Sequence, residues 1–286
     1  CTHDTCVMAL QAHKLYKEIA FEEDIRFDKV EKGILHIYTD EKEFENARRV
    51  NEIYLRAGLE RWEVSAEECL KIEPALVPPP KLLGGMFNNT DYTGDIHKFC
   101  VQLTKVLQEK YKVRYEQRNI KNIKEINDFR GPIVICAGIG SRKLAKSIGD
   151  TLDIYPVKGY SITIHNPIVA PWTSMLDDEA KIVTARLGED RLRVAGTAEF
   201  NGYNTDIIQN RIKPLIEWSE RIFPGINTET ITPWAGLRPM TPNMMPIVKQ
   251  SSNQSRVFYN TGHGHLGWTL SAYTAKDIVG QIKEKL

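Results

Sequence analysis

The chain has 286 residues, 42% hydrophobic and 26% charged, with 38 Lys and Arg against 37 Asp and Glu. Near-neutral charge removes any global electrostatic reason to bind nucleic acid or an anionic membrane, and no apolar run reaches the ~20 residues of a membrane-spanning helix. Five cysteines, odd and scattered, argue for a reducing compartment over a disulfide framework, so the sequence reads as a cytoplasmic globular protein with room for two modest or interleaved domains.

Apolar residues at helical spacing begin almost at once, from Met8 to Ala20. Ahead of them Cys1, His3 and Cys6 lack a second ligand pair at zinc-like spacing and read as polar residues at a helix start. Gly33 to Tyr38 reads as a strand. Asp40 then caps a helix over Glu41–Ala57, with Phe44, Val50, Tyr54 and Leu55 on one face and Gly58 closing it. Ser65 and Glu68 form a capping-box pattern opening a short helix, and the proline-rich stretch 73–80 is a stiff surface connector.

Asp95 to Tyr111 is a helix with Phe99, Leu103, Val106 and Leu107 inward, and Val113 to Tyr115 is a short strand. Pro132 to Ala137 is a continuous apolar run, expected as a strand buried on both faces, that delivers Gly138-Ile-Gly140-Ser141 into a helix over Arg142–Ile148. Alternation at Tyr160–Ile164, Lys181–Ala185 and Arg191–Ala195 predicts a twisted antiparallel sheet. A helix over Asp206–Ile222 ends at Phe223-Pro224-Gly225. The last third reads as loop from Trp234 to Pro246, strand from Arg256 to Tyr259, and a final helix running through Ile282. The fold class is α/β (α+β), an open sheet with a second, antiparallel sheet layer.

Three stretches can carry chemistry. Gly138 and Gly140, at the end of a strand, allow close backbone approach to a flat or phosphorylated ligand, although an ordinary strand-to-helix turn explains them as well. Arg238 stands among Pro239, Pro242 and Pro246. An arginine so held meets either a carboxylate or phosphate ligand through its planar fork or an internal acidic residue. Asn260 to Trp268 runs from strand to helix with glycines that free backbone N–H groups toward an anion. His263 and His265 are at most a partial metal site, and no metal is assigned.

At the last two stretches the sequence resembles the D-amino-acid, glycine and sarcosine oxidase family, and within it the small subunit of the bacterial FAD-dependent D-amino-acid dehydrogenases. That family carries Trp-x-Gly-Leu-Arg-Pro-Met-Thr-Pro-Asp-Gly-x-Pro-Ile-Val-Gly and Asn-Thr-Gly-His-Gly-x-Leu-Gly-Trp-Thr, matched here by Trp234–Val248 and Asn260–Thr269. Ile72–Leu76, Thr93–Asp95, Tyr155–Ser161 and Arg193–Glu199 are similar as well. The resemblance implies a flavoprotein with FAD lying along a Rossmann-like domain at the border of an antiparallel substrate domain. The substrate domain is expected over 26–83 and 151–235, and the flavin domain over 1–25, 84–150 and 236–286.

By the same resemblance, FAD is held by Gly138 and Gly140 and by Gly262, His263, Gly264, Leu266, Gly267 and Trp268. Arg238 pairs with the substrate carboxylate, and Tyr160 lines the pocket from the substrate sheet. The implied reaction is oxidative deamination of D-amino acids to 2-oxo acids and ammonia, with electrons passing to a quinone-linked acceptor at the inner membrane and no dedicated acid or base. The family opens with a strand, a Gly-x-Gly-x-x-Gly turn and a helix that this sequence does not show. The expectation is therefore an incomplete flavin domain. Three forms stay open: a split enzyme completed by an N-terminal FAD-binding polypeptide, an inactive remnant, or an amino-acid-binding module without flavin. Within the motif, Asn243-Met244 replaces the usual Asp-Gly, Lys249 a glycine, and His265 the frequent threonine.

Overall fold

A computed structural model describes residues 2–126 and 128–285. Helix α1 spans Thr2–Glu22, longer than its apolar spacing suggested, and buries Cys6, Ala12 and Tyr16. After β1 (Ile34–Tyr38), Asp40 caps α2 (Glu41–Arg56) by accepting from the Glu43 N–H at 2.9 Å. The face of α2 differs from expectation. Phe44 and Ala47 are buried and Leu55 is exposed, because Phe44 stacks on Tyr38 of β1 and sets the helix rotation.

Strand β2 (Trp62–Ser65) leads into α3 (Ala66–Ile72), whose Ser65–Glu68 capping box forms in both directions. Strand β3 (Gly84–Asn88) and helix α4 (Ile96–Glu109, capped by Asp95) follow. The strand expected at Val113–Tyr115 is absent. Both apolar side chains there are exposed, so burial gives no reason for pairing. Beyond it come β4 (Ile133–Ile135), α5 (Ser141–Lys146), β5 (Tyr155–His165), β6 (Ser174–Asp177), β7 (Ile182–Leu187), β8 (Arg191–Glu199) and α6 (Gln209–Ile222). The chain ends with β9 (Ile231–Met240), β10 (Ile247–Gln250), β11 (Val257–Thr261) and α7 (Gly267–Lys285).

Among the described residues the strands form two sheets. The larger has the order β2-β3-β1-β6-β7-β8-β5-β9, antiparallel throughout except for the β1–β6 pair. It takes in β3 and the whole of β9, past the boundaries expected at residues 83 and 235. One face packs on α3 and α6. Leu35, Ile37, Met175, Ile162, Ile164, Leu192 and Val194 interlock there with Leu215, Trp218 and Ile222. Full burial of each such side chain is worth about 1.5–3 kcal/mol, which fixes strand register and so decides what the other face presents.

The residues read as loop from Trp234 contain most of β9, which carries Arg238. Its Pro233 and Pro239 look like breakers in sequence, but β9 is the sheet's edge strand, where a missing N–H costs no ladder bond.

The smaller sheet has the order β10-β11-β4, with β11 and β4 parallel. Strand β4 is therefore an edge, and Val134 is exposed, contrary to the expected burial on both faces. A core of Ile133, Ile135, Ala145, Leu152, Val257 and Tyr259 supports it. Beside that core the buried Asp150 accepts from Tyr259 Oη and Asn253 Nδ2, both at 2.6 Å, and from Ser251 Oγ. A third cluster joins α1, α4 and α7 through Tyr16, Phe27, Phe99 and Trp268, mostly edge-to-face.

Candidate active site

Alternation along β9 turns Ala235 to the core and puts Trp234, Gly236 and Arg238 on the opposite face. Two glycines make the floor of that face. Gly159 of β5 and Gly236 of β9 are register partners. A Cβ added at Gly159 would lie 2.3 Å from the Arg238 guanidinium carbon, and one at Gly236 would lie 2.0 Å from the Trp234 ring. The arginine lies down over one glycine and the tryptophan over the other. Arg193 reaches the Trp234 ring as well, 5.1 Å from its centroid.

Arg238 is half-buried and donates Nη1–H to the Thr197 carbonyl at 3.0 Å, its one recorded hydrogen bond among the described residues. No carboxylate there stands within ion-pair distance of it, which removes the internal salt bridge left open by the sequence. Burial alone pushes its pKa below the ordinary guanidinium value. The side chain is thus a partly desolvated cation held without a counter-ion. Ser161 Oγ and Thr197 Oγ1, on the same side, are buried without hydrogen-bond partners.

Tyr160 is not part of this face. The bulky ring follows the core parity of β5, packs among Ile162, Leu192 and Leu215, and donates its hydroxyl to Glu199 at 2.7 Å. The expectation that Tyr160 lines the pocket is corrected accordingly. Arg193, Trp234, Gly159 and Thr197 are the neighbours that sequence reasoning did not single out. Alternation on β8 could have found Arg193, since it and Arg191 point the same way, but only Arg191 is consumed by ion pairs, with Asp28 and Asp95.

The two glycine loops meet at the carboxyl ends of adjacent parallel strands, β4 and β11, the place where α/β sheets receive cofactors. Thr261 Oγ1 stitches them, donating to the Gly138 carbonyl at 3.1 Å and lying 2.9 Å from Ser141 Oγ. Gly138 sits at φ +53°, and a Cβ there would meet nothing within 4 Å. Gly262 and Gly264 are also left-handed, and an added Cβ would press to 2.9 Å on Thr241 and Met240.

The Gly264 N–H donates to the Pro239 carbonyl at 3.1 Å, which docks this loop on the strand that carries Arg238. Asn260 Oδ1 is buried without a partner where β11 enters the loop. The N–H groups of Gly267, Trp268 and Thr269 precede the first helical bond of α7, which runs from the Leu270 N–H to the Leu266 carbonyl at 2.9 Å. Open backbone over Gly138, an unspent amide oxygen and a helix N-terminus fit a large, flat, phosphate-bearing ligand, so the residues present fit FAD.

His263 turns back, its Nε2 2.9 Å from Thr274 Oγ1 on α7. Leu266, Trp268 and His265 line a cavity of about 600 Å³ whose far wall holds His13, His36 and Asp91. Burial lowers the pKa of His265, and the nearby Arg238 charge lowers it further, so the ring is neutral around pH 7. Burial also lowers His13 and His36 and raises Asp91, and His13 Nε2 stands 4.0 Å from Asp91 Oδ1. Met244, in place of the family's glycine, borders the same cavity at φ +62°. Among the described residues no group of three or more His, Cys, Asp or Glu is arranged to hold a metal, and no helix is long and apolar enough to cross a membrane.

Comparison with known proteins agrees with this architecture. The family model described as FAD dependent oxidoreductase matches residues 4–281. A D-amino acid dehydrogenase 3 of Mesorhizobium japonicum is 49% identical over 96% of this chain and 70% of its own length. A D-amino acid dehydrogenase of Dechloromonas aromatica is 36% identical over the same shares. Among solved structures, glycine oxidase from Geobacillus kaustophilus superposes with a TM-score of 0.87 at 21% identity, covering 98% of this chain and 79% of that one. The L-α-glycerophosphate oxidase of Mycoplasma pneumoniae, solved with FAD bound, gives 0.80 at 17% identity, covering 98% of this chain and 79% of that one.

Proposed function

This chain belongs to the FAD-dependent oxidoreductase family, and we propose that its reaction is the oxidative deamination of D-amino acids to 2-oxo acids and ammonia. The observation that carries the substrate class is Arg238, a partly buried guanidinium laid over a glycine, whose one hydrogen bond among the described residues goes to the Thr197 carbonyl. A desolvated cation is costly until an anion completes it, and an α-carboxylate matches its planar fork. The D configuration is taken from the relatives' activity.

Gly138 and Gly140 on one loop, and Gly262, His263, Gly264, Leu266, Gly267 and Trp268 on the other, would hold FAD. When bound, FAD supplies the redox chemistry by accepting a hydride from the substrate Cα. The chain's own part is orientation. Arg238 fixes the carboxylate, and the Trp234 ring beside it restricts rotation of the bound amino acid. The N–H groups at the start of α7 favour negative charge developing next to them. The imine product takes up water and releases ammonia and the 2-oxo acid without a dedicated acid or base. Electrons leave to a quinone-linked acceptor.

The test is anaerobic: protein incubated with FAD, passed through gel filtration, then mixed with single D- or L-amino acids while the visible flavin band is followed. Bleaching by D-amino acids is expected. Retained flavin that L-amino acids bleach and D-amino acids leave intact would overturn the reading.

A further inference from the structure

Behind Arg238 the sheet is irregular. Lys158 of β5 pairs with Glu199 of β8, and Tyr160 pairs with Gly196, so Thr197 and Ala198 together oppose Gly159. This is a β-bulge, and its extra residue re-aims the backbone beside the site. Thr197 takes φ +60°, a conformation that a branched Cβ resists, and from it the Thr197 carbonyl meets the Arg238 guanidinium. Such backbone persists only where surrounding contacts over-determine it.

Those contacts lie on the opposite face. Lys158 is fully buried, which is rare for a lysine. Its Nζ stands 2.9 Å from Glu199 Oε2 and donates to Asn204 Oδ1 and the Asp206 carbonyl, each at 3.1 Å, so three acceptors match its three protons. Tyr160 Oη donates to the same Glu199 oxygen at 2.7 Å. Lys158 and Tyr160 flank Gly159, the floor under Arg238, and Glu199 lies two residues beyond Thr197.

We propose that Lys158 and Glu199 are positioning residues, a buried ion pair that clamps the bulge and thereby aims Arg238 at the substrate carboxylate. The inference rests on the reading of Arg238 as the carboxylate anchor. Without the clamp the bulge relaxes, Thr197 leaves the left-handed region, and its carbonyl no longer holds the guanidinium. The fork then loses its alignment while the flavin loops, on the other sheet, keep theirs.

The experiment compares wild type, Lys158→Met, Arg238→Ala and the double variant. KM and kcat are measured with a D-amino acid, and the thermal shift given by propionate, a carboxylate without an amine, is recorded without turnover. Lys158→Met is expected to raise KM about tenfold, since misplacing a positioning group by an ångström costs up to about a hundredfold, and to leave kcat within about twofold. The propionate shift should shrink in parallel. In the Arg238→Ala background the same change should add nothing, because both act through one group.

A folded Lys158→Met protein with unchanged KM and propionate shift would overturn the inference, as would a full additional loss in the double variant. Should Lys158→Met not fold, Tyr160→Phe, which keeps the ion pair and removes one bond to Glu199, must still raise KM about threefold; unchanged KM overturns the inference equally. An Arg238→Ala protein with wild-type KM would instead fell the carboxylate reading, and this inference with it.

Discussion

Replacing Arg238 with alanine should separate binding from stability. In the folded chain the guanidinium is half-buried, laid over Gly159, and bonded to one neutral carbonyl. A hydrogen bond from a charged donor contributes about 1.5–3 kcal/mol, and removing a partly desolvated cation recovers part of that. The unfolding free energy should therefore change by less than about 2 kcal/mol, or at most about 3 °C in Tm for a chain of 286 residues.

Binding behaves otherwise. Truncating one partner of a buried, hydrogen-bonded charge pair costs 2–5 kcal/mol or more, and an anchor that is only half-buried belongs to the lower part, about 2–4 kcal/mol. At 1.36 kcal/mol per tenfold, kcat/KM should fall by about 30-fold to about 900-fold. The assay is steady-state turnover with a dye acceptor across D-amino-acid concentrations, with thermal unfolding of the same preparation. An unchanged kcat/KM, or a loss matched by an equal collapse of Tm, would refute the reasoning.

Gly159→Ala should mimic this loss by a different route. Its Cβ would stand 2.3 Å from the Arg238 guanidinium, the far end of a flexible side chain, so the arginine moves and the fold survives. KM should rise while the flavin spectrum and Tm stay close to wild type; an unaltered KM would show that the floor does not set the arginine's aim. Met244→Gly should raise stability by about 0.5–1 kcal/mol, because a left-handed conformation at φ +62° costs a non-glycine residue more than glycine's extra chain entropy. A lower Tm in that variant would contradict the strain.

Asp150 links stability to acid. Burial raises its pKa, but hydrogen bonds from Ser251, Tyr259 and Asn253 outweigh burial and hold it below the ordinary value. A depressed folded pKa gives stability that is fully present above the unfolded value, about 3.9, and is lost as pH falls through the folded one. Urea midpoints measured from pH 5 downward should fall more steeply for wild type than for Asp150→Asn, and parallel slopes would count against the assignment.

Much of this architecture was legible in the sequence because its signals were local. The Asp40 cap, the Ser65–Glu68 box and the alternation in β5, β7 and β8 need only neighbouring residues to be read. Arg238 stood out through its fork and its proline-rich surroundings, although those prolines hid the strand that bears it. What stayed hidden depends on partners distant in sequence. Gly84 and Gly85 carry no strand signal in the sequence, yet a Cβ at Gly85 would lie 2.6 Å from the His36 carbonyl, so the glycines belong to a strand under close approach. Tyr160 shares the apolar parity of Ile162 and Ile164, which alternation assigns to the core, and only the resemblance had put it in the pocket. The bulge that decides what faces Arg238 is a register shift between strands, which no single strand encodes. Lys158 was overlooked because lysines are so seldom buried.

The strand that bears Arg238 is also the border of its sheet. Pro233 and Pro239 share the parity that points away from β5, so two amide hydrogens are missing from the outward row. The Pro239 carbonyl on that row is already taken by Gly264. A foreign strand arriving at this border would find two donors absent and an acceptor spent, which disfavours continuation of the sheet there by another molecule. The arginine can thus stand at the rim, within reach of incoming solutes, without making that rim a seed for self-association.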